Sequence, residues 1–201
     1  MPIICNTIQQ QIERIKKEAA VCRTRSEILL NTLKSLKFGD IFEFGVFTGR
    51  SLKFIADNTT NKKIYAFDSF KGLPEAWPGA RSAKYTKGYF NVGGKLPNIN
   101  NTNIHYIKGF FEDSLPLFVK NYNNAVSFIH IDCDIYSSTK TILSYMKPYI
   151  KKNTMILFDE LIGYRDFEQN EIKAWTEFVQ ETELDYTYLY SSRYQVSLQI
   201  L

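Results

Sequence analysis

The chain has 201 residues, 44% of them hydrophobic and 15% aromatic, with 25 Lys and Arg against 21 Asp and Glu for a formal charge of +4. That length suits one domain with a full core, and the apolar content excludes a disordered chain. The small charge surplus makes no case for nucleic acid or a membrane surface.

No apolar run approaches the ~20 residues that cross a bilayer, and the start, with polar residues from Asn6 onward, does not read as a signal peptide. The three cysteines, Cys5, Cys22 and Cys133, have no paired spacing. They fit a reducing, cytoplasmic setting rather than a disulfide framework or a structural zinc site.

In chain order, residues 6–37 read as helical, with Ile8, Ile12, Ile15, Ile28, Leu29, Leu33 and Leu36 at helical spacing. From Gly39 onward, short apolar runs alternate with amphipathic stretches. Strands are expected at residues 40–45, 63–68, 104–108, 127–132 and 155–159. Helices are expected at 49–57, 113–121, 137–150 and 168–182. Two further strands, 186–190 and 195–200, are joined by too few residues for a helical crossover and form an antiparallel hairpin. The alternation predicts an α/β fold, doubly wound and Rossmann-like, with a mostly parallel sheet and helices on both faces. Residues 1–38 form an N-terminal helical segment and 39–201 the sheet domain.

Residues 71–101 stand apart, with Gly72, Pro74, Gly88, Gly93 and Gly94 among the aromatic Trp77, Tyr85, Tyr89 and Phe90. A loop this long in a compact domain is usually a lid or binding loop. A disordered insertion is the alternative, and the embedded aromatics favour a packed, ligand-facing loop.

Ligands of open α/β sheets bind beyond the carboxyl ends of the strands. Those ends are acidic here: Glu43, Asp68, Asp132, Asp134, Asp159 and Glu160. Gathering acids costs repulsion and desolvation, so a shared functional cleft is expected. The first turn, Gly45-Val46-Phe47-Thr48-Gly49, has Phe47 where a dinucleotide-binding turn needs a glycine beside pyrophosphate. Glu43 attracts a cation instead, and Asp68 is placed to accept from ribose hydroxyls. A cationic, ribose-containing cofactor without phosphate points to S-adenosylmethionine. After the third strand, Phe110 or Phe111 can stack on adenine with a nearby acid, such as Glu112, at its amine. Alternatively, Phe111 is core and Asp113 caps the next helix.

The fourth and fifth strands are expected as neighbours, which lets Asp132, Asp159 and Glu160 converge. Carboxylates without soft ligands suit Mg²⁺ or another hard divalent ion, and Asp132 can act as general base. Without a metal, Asp134 caps the helix near Ser137, and Asp159 and Glu160 bind polar substrate. Cys133 lies between acids that raise its pKa and is no nucleophile. His130 reads as a core histidine, and His105 has no argued role.

The stretches Phe42–Val46, Ala66–Trp77, Gly109–Pro116, Ile129–Thr139 and Phe158–Glu160 resemble class I S-adenosylmethionine methyltransferases. More narrowly, they are similar to the macrocin O-methyltransferase family, which methylates sugar hydroxyls on macrolides and aminocoumarins. The segment from Asp68 to Trp77 and the Asp-x-Asp-x-Tyr-x-Ser-Thr pattern from Asp132 are the specific parts. The resemblance implies a seven-stranded sheet with an antiparallel last strand. It implies cofactor contacts by Glu43, Gly45, Asp68 and Ser69, and the candidate set is completed by Gly49, Ser51, Phe111, Glu112 and Asp132. It implies metal ligation by Asp132, Asp159 and Glu160, with Asp132 also as base. Glu160 stands where characterised members carry a second aspartate, and its longer side chain can still ligate.

The expected activity is transfer of a methyl group to a hydroxyl of a sugar or glycosylated small metabolite. Trp77, Tyr85, Tyr89, Phe90 and Tyr164 are expected around that acceptor. Little chain remains to close over it, so a homodimer is expected. The alternatives are a nicotinamide-dependent oxidoreductase and a non-catalytic cofactor-binding protein.

Overall fold

The computed structural model describes residues 7–77 and 84–201; Cys5, Pro78 and Gly79 lie outside them. The elements run α1 (Ile8–Glu18), β1 (Ala20–Val21), α2 (Arg25–Lys34), β2 (Asp40–Phe44), α3 (Arg50–Asp57), β3 (Ile64–Asp68), β4 (Ile104–Lys108) and α4 (Phe111–Val119). They continue with β5 (Val126–Ile131), α5 (Tyr136–Met146), β6 (Met155–Phe158), α6 (Glu171–Thr182), β7 (Tyr186–Ser191) and β8 (Val196–Ile200). Eight strands form one sheet in the order β1-β7-β8-β6-β5-β2-β3-β4. β8 is antiparallel to both of its neighbours and every other pairing is parallel.

Strand alternation sends side chains into two cores. Phe42, Phe44, Ile129, Ile131, Ile156 and Phe158 pack with Ile15 of α1, Leu115 of α4, Ile142 of α5 and Trp175 of α6. Ile41, Ala66, Phe128, Met155 and Leu157 pack with Ile28, Leu29 and Leu33 of α2 and with Leu52 and Ile55 of α3. The sheet is thus wound on both faces, as the alternation predicts. No helix among the described residues is long and apolar enough to cross a membrane.

Three local expectations are corrected. The helical reading of residues 6–37 is broken by β1, which adds an eighth strand to the seven implied. α1 gives way to extended backbone at Ala19, Ala20 and Val21 pair with Tyr190 and Ser191, and Thr24 starts α2 afresh by accepting from the Glu27 amide at 3.1 Å. The α4 helix begins at Phe111, so Asp113 sits inside its first turn and is not its cap. Asp134 does not cap α5 either; Ile135 occupies that place without a side-chain bond.

The loop after β3 folds back on itself. Within it, Leu73 N–H donates to the Tyr89 carbonyl at 2.9 Å and Trp77 N–H to that of Tyr85 at 3.0 Å. Glu75 ties the loop to α5 by accepting from the Ser137 hydroxyl at 2.5 Å. The described parts of this loop are therefore built structure, bonded within themselves and to α5.

Candidate active site

The carboxyl ends of β2, β3, β5 and β6 meet at one rim, and a cavity of about 390 Å³ opens there. The rim lies where the sheet order reverses around β2 and β5, the usual ligand position in such sheets. β2 and β5 approach closely because Gly45 follows β2 at φ +93°; a Cβ there would lie 1.8 Å from the Asp132 carbonyl oxygen. Only glycine meets both conditions.

One half of the cavity is formed by Gly45, Phe47, Asp68, Ser69, Phe110, Phe111 and Glu112. Asp68 holds the turn: Oδ2 accepts from the Val46 and Phe47 amides, each at 2.7 Å, and Oδ1 from Phe70 at 2.6 Å. The donors that would grip a pyrophosphate in a dinucleotide fold are taken by a carboxylate. Ser69 Oγ donates to the Gly72 carbonyl at 3.2 Å and accepts from the Lys71 amide at 3.1 Å. Phe111 meets Phe44 edge-on at 5.6 Å and forms part of the cavity wall. This half suits an adenosyl group without phosphates: a glycine turn whose amides are already held by Asp68, an acid at the end of β3 and aromatic walls.

Of the expected cofactor contacts, Glu43, Gly49 and Ser51 are not among the residues lining the cavity. Glu43 is fully buried behind it, with Oε1 3.1 Å from His130 Nδ1. Gly49, at φ +80°, precedes α3 and lies under Pro97 and Ile99, where a Cβ would clash. Ser51 belongs to α3.

The other half is lined by Asp132, Asp134 and Glu160, with Asp159 buried behind them. Asp132 follows β5, and Asp159 and Glu160 follow β6, neighbours as expected. Arg25, unforeseen from the sequence, reaches them: Nη2 donates to Asp132 Oδ2, and Nε lies 2.8 Å from Asp159 Oδ1. His130 Nε2 lies 3.7 Å from the same Asp159 oxygen. Burial works against the charge on His130, but the Asp159 and Glu43 carboxylates beside it raise its pKa to about 10. It lies buried between two acids that favour its protonated form. Burial opposes the charge on Asp159 too, yet His130 and Arg25 pull its pKa below the usual carboxylate value.

Asp132 goes the other way. Burial and the Asp159 charge raise its pKa above the usual carboxylate range, against the pull of Arg25 and His130. Burial, followed by neighbouring carboxylates, lifts Asp134, Glu160 and Glu171 well above their ordinary values. Glu171, at the start of α6, was also unforeseen; its Oε2 accepts from the Glu160 amide at 3.2 Å. Cys133 is buried, and burial with the neighbouring carboxylates pushes its thiol pKa up.

The ligand set expected for a divalent ion can be tested on this geometry. Among the described residues, two groups bring ligand atoms within 4.8 Å of one another: His130 with Asp132 and Asp159, and Asp132 with Asp134 and Glu160. Neither is the expected set of Asp132, Asp159 and Glu160. Both use Asp132, whose Oδ2 is held by Arg25. Arg25 also supplies the positive charge between Asp132 and Asp159 that an ion would bring, and two cations so close repel. With Arg25 in place, the expected ion does not fit.

Aromatic rings close the cavity above the acids. Trp77 stands between Tyr85 and Tyr164, with ring centroids 5.3 and 5.7 Å away, and Tyr164 lies 6.3 Å from Tyr194. Phe90 packs edge-on to Phe47 at 5.3 Å. Of the expected aromatic set, only Tyr89 is not part of the lining; it supports Tyr85 from behind at 4.6 Å.

Similar folds are known. Across 96% of this chain and 80% of the other, the chain superposes on the calicheamicin methyltransferase CalS11 with a TM-score of 0.69 and 20% identity. The O-methyltransferase NovP matches over 87% of this chain and 78% of its own, with a TM-score of 0.65 and 17% identity. An O-methyltransferase from Bacillus cereus, solved with SAH, matches over 99% and 93%, with a TM-score of 0.55 and 13% identity. None of the curated proteins matches. A family model described as a methyltransferase domain matches residues 42–161, from the middle of β2 to just past the acids after β6. That span is more than half of the chain and contains the glycine turn, Asp68 and Asp132, so the chain belongs to the methyltransferase domain family.

Proposed function

We propose that the protein is an S-adenosylmethionine-dependent O-methyltransferase acting on a hydroxyl of a sugar or glycosylated small metabolite, with Asp132 as general base. The observation that carries this reading is the position of Asp132. It lines the cavity between the adenosyl-shaped half and the aromatic wall, one Oδ held by Arg25 and the carboxylate part-exposed.

When bound, S-adenosylmethionine supplies an electrophilic methyl group. The chain supplies alignment and a proton acceptor. Gly45 closes the β2–β5 seam against which the cofactor would rest, and Asp68 fixes the turn beside it. Rings such as Trp77 and Tyr164 present apolar faces suited to a sugar ring. Asp132 accepts the hydroxyl proton as the oxygen attacks, and burial keeps that carboxylate basic enough to do so. Holding both reactants in line is the larger share of such a rate enhancement.

The similarity to CalS11, a TDP-rhamnose 3'-O-methyltransferase, is consistent with the sugar class. The oxidoreductase alternative is disfavoured by Asp68, whose charge sits on the amides a diphosphate would need. Self-association completing the acceptor side is part of the same reading, and sedimentation velocity showing monomer alone would remove it.

Calorimetry with S-adenosylmethionine and with NAD tests the cofactor, and label transfer from S-adenosylmethionine to sugars, nucleotide sugars and glycosylated aglycones tests the acceptor. Saturable S-adenosylmethionine binding with label on a sugar oxygen is expected. Tighter binding of NAD, or label only on nitrogen or carbon acceptors, overturns the reading.

A further inference from the structure

Among the described residues lining the cavity, Arg25 is the only basic one. It sits at the first position of α2, where the helix dipole disfavours a cation, so helix stability does not explain it. Its surroundings do. β1 is parallel to β7, and β7, through antiparallel β8, runs parallel to β6, so β1 ends on the same rim as Asp132 and Asp159. Thr24 then starts α2, and Glu27 fastens the approach by accepting from the Arg23 amide at 2.7 Å. The guanidinium that follows bridges an Asp132 oxygen and an Asp159 oxygen. Both possible ion positions include Asp132.

We propose that Arg25 is the resident cation of this site, standing where a divalent ion would stand, and that it positions Asp132 for proton removal without a metal. The catalytic half of this proposal rests on the O-methyltransferase reading. In the step it serves, the acceptor O–H proton passes to Asp132, the oxygen forms a bond to the methyl carbon, and the sulfur–methyl bond breaks to leave a neutral thioether. Arg25 keeps its proton throughout; it holds the carboxylate in place and offsets the charge of Asp159. A planar fork suits bridging two carboxylates, which a lysine ammonium does less well.

The test uses the full chain after chelator treatment, comparing wild type with Arg25→Met, Arg25→Gln and Arg25→Lys. Mn²⁺ binding, read from the electron paramagnetic resonance of free Mn²⁺, needs neither cofactor nor acceptor. Wild type is expected to bind Mn²⁺ at least about tenfold more weakly than Arg25→Met or Arg25→Gln, a gain that an arginine needed only for folding would not produce. Methyl transfer by the wild type is expected to survive chelation. Arg25→Met is expected to lose about 100-fold in kcat with little change in the KM for S-adenosylmethionine, and Arg25→Lys to recover part of it. Stoichiometric Mn²⁺ binding by the wild type, no tighter in the variants, overturns the proposal, as does turnover abolished by chelation and restored by Mn²⁺. If S-adenosylmethionine does not bind at all, the O-methyltransferase reading fails while the Mn²⁺ comparison still decides whether Arg25 holds the ion's place.

Discussion

Gly45 and Asp132 are joined through their backbones: the missing Cβ of one leaves room for the carbonyl of the other, 1.8 Å from where that carbon would be. The contact closes the seam between β2 and β5 on which the candidate base stands. Gly45→Ala must either part the strands or leave its φ of +93°. A loss of at least about 2 kcal/mol in unfolding free energy is expected, with S-adenosylmethionine affinity falling alongside. Denaturant unfolding and calorimetry check both, and an alanine variant of wild-type stability would contradict the packing described.

Asp132→Asn keeps the shape of the side chain and removes its ability to take a proton. Turnover should fall by about 10²–10⁴-fold, while S-adenosylmethionine affinity changes by no more than a few-fold. Isothermal titration beside steady-state kinetics separates the two effects, and normal turnover by this variant would refute the base.

The rate should depend on pH through the same group. Burial and Asp159 hold the Asp132 pKa above the ordinary carboxylate value, and only the ionised form accepts a proton. Activity should therefore decline on acidification at a higher pH than an exposed aspartate would give. Arg25 favours the ionised form, so Arg25→Met should move that decline further upward. A profile of kcat/KM against pH for both proteins measures the sign.

Trp77 touches Tyr85 and Tyr164 in the wall away from the adenosyl half. Trp77→Ala should raise the acceptor KM by about tenfold or more, the loss of about 1.4 kcal/mol, and leave cofactor binding alone. An equal loss of S-adenosylmethionine affinity would mean that the wall belongs to the cofactor.

Thr24→Ala removes the bond that starts α2 and should cost about 1 kcal/mol of stability. If α2 positions Arg25 as described, turnover should fall more than the small change in folded fraction accounts for. Thermal melts and kinetics at one temperature make the comparison.

β2, β3, β5 and β6 were legible because each is a short apolar run with an acid at or just past its carboxyl end, and the helices between them are amphipathic. Asp68, Asp132 and the aromatic loop could be placed for the same reason: position along a strand fixes the rim on which a residue emerges. β1 was not legible, since two residues carry no period and their pairing partner lies at the far end of the chain. The spacing of Thr24 and Glu27, a helix-start signature, was the available sign that one helix ended and another began. Arg25 and Glu171 escaped because their roles come from tertiary approach to acids elsewhere in the sequence. Glu43 misled in the opposite direction: an acid at a strand end looks like a ligand until a buried histidine is found beside it.

The pairing of β1 with β7 also orders events in time. The acids after β5 and β6 can come together as soon as those strands pair, and α2 can rest on β2, β5 and β6 from then on, but β1, which fixes where α2 begins, has no partner until β7 is made. On a growing chain the negative cluster is thus complete before its cation is fixed in place. Arg25 becomes a reporter of finished folding: a polypeptide halted before Tyr186 should hold the acids with the guanidinium unfixed, and should capture Mn²⁺ more readily than the whole protein does.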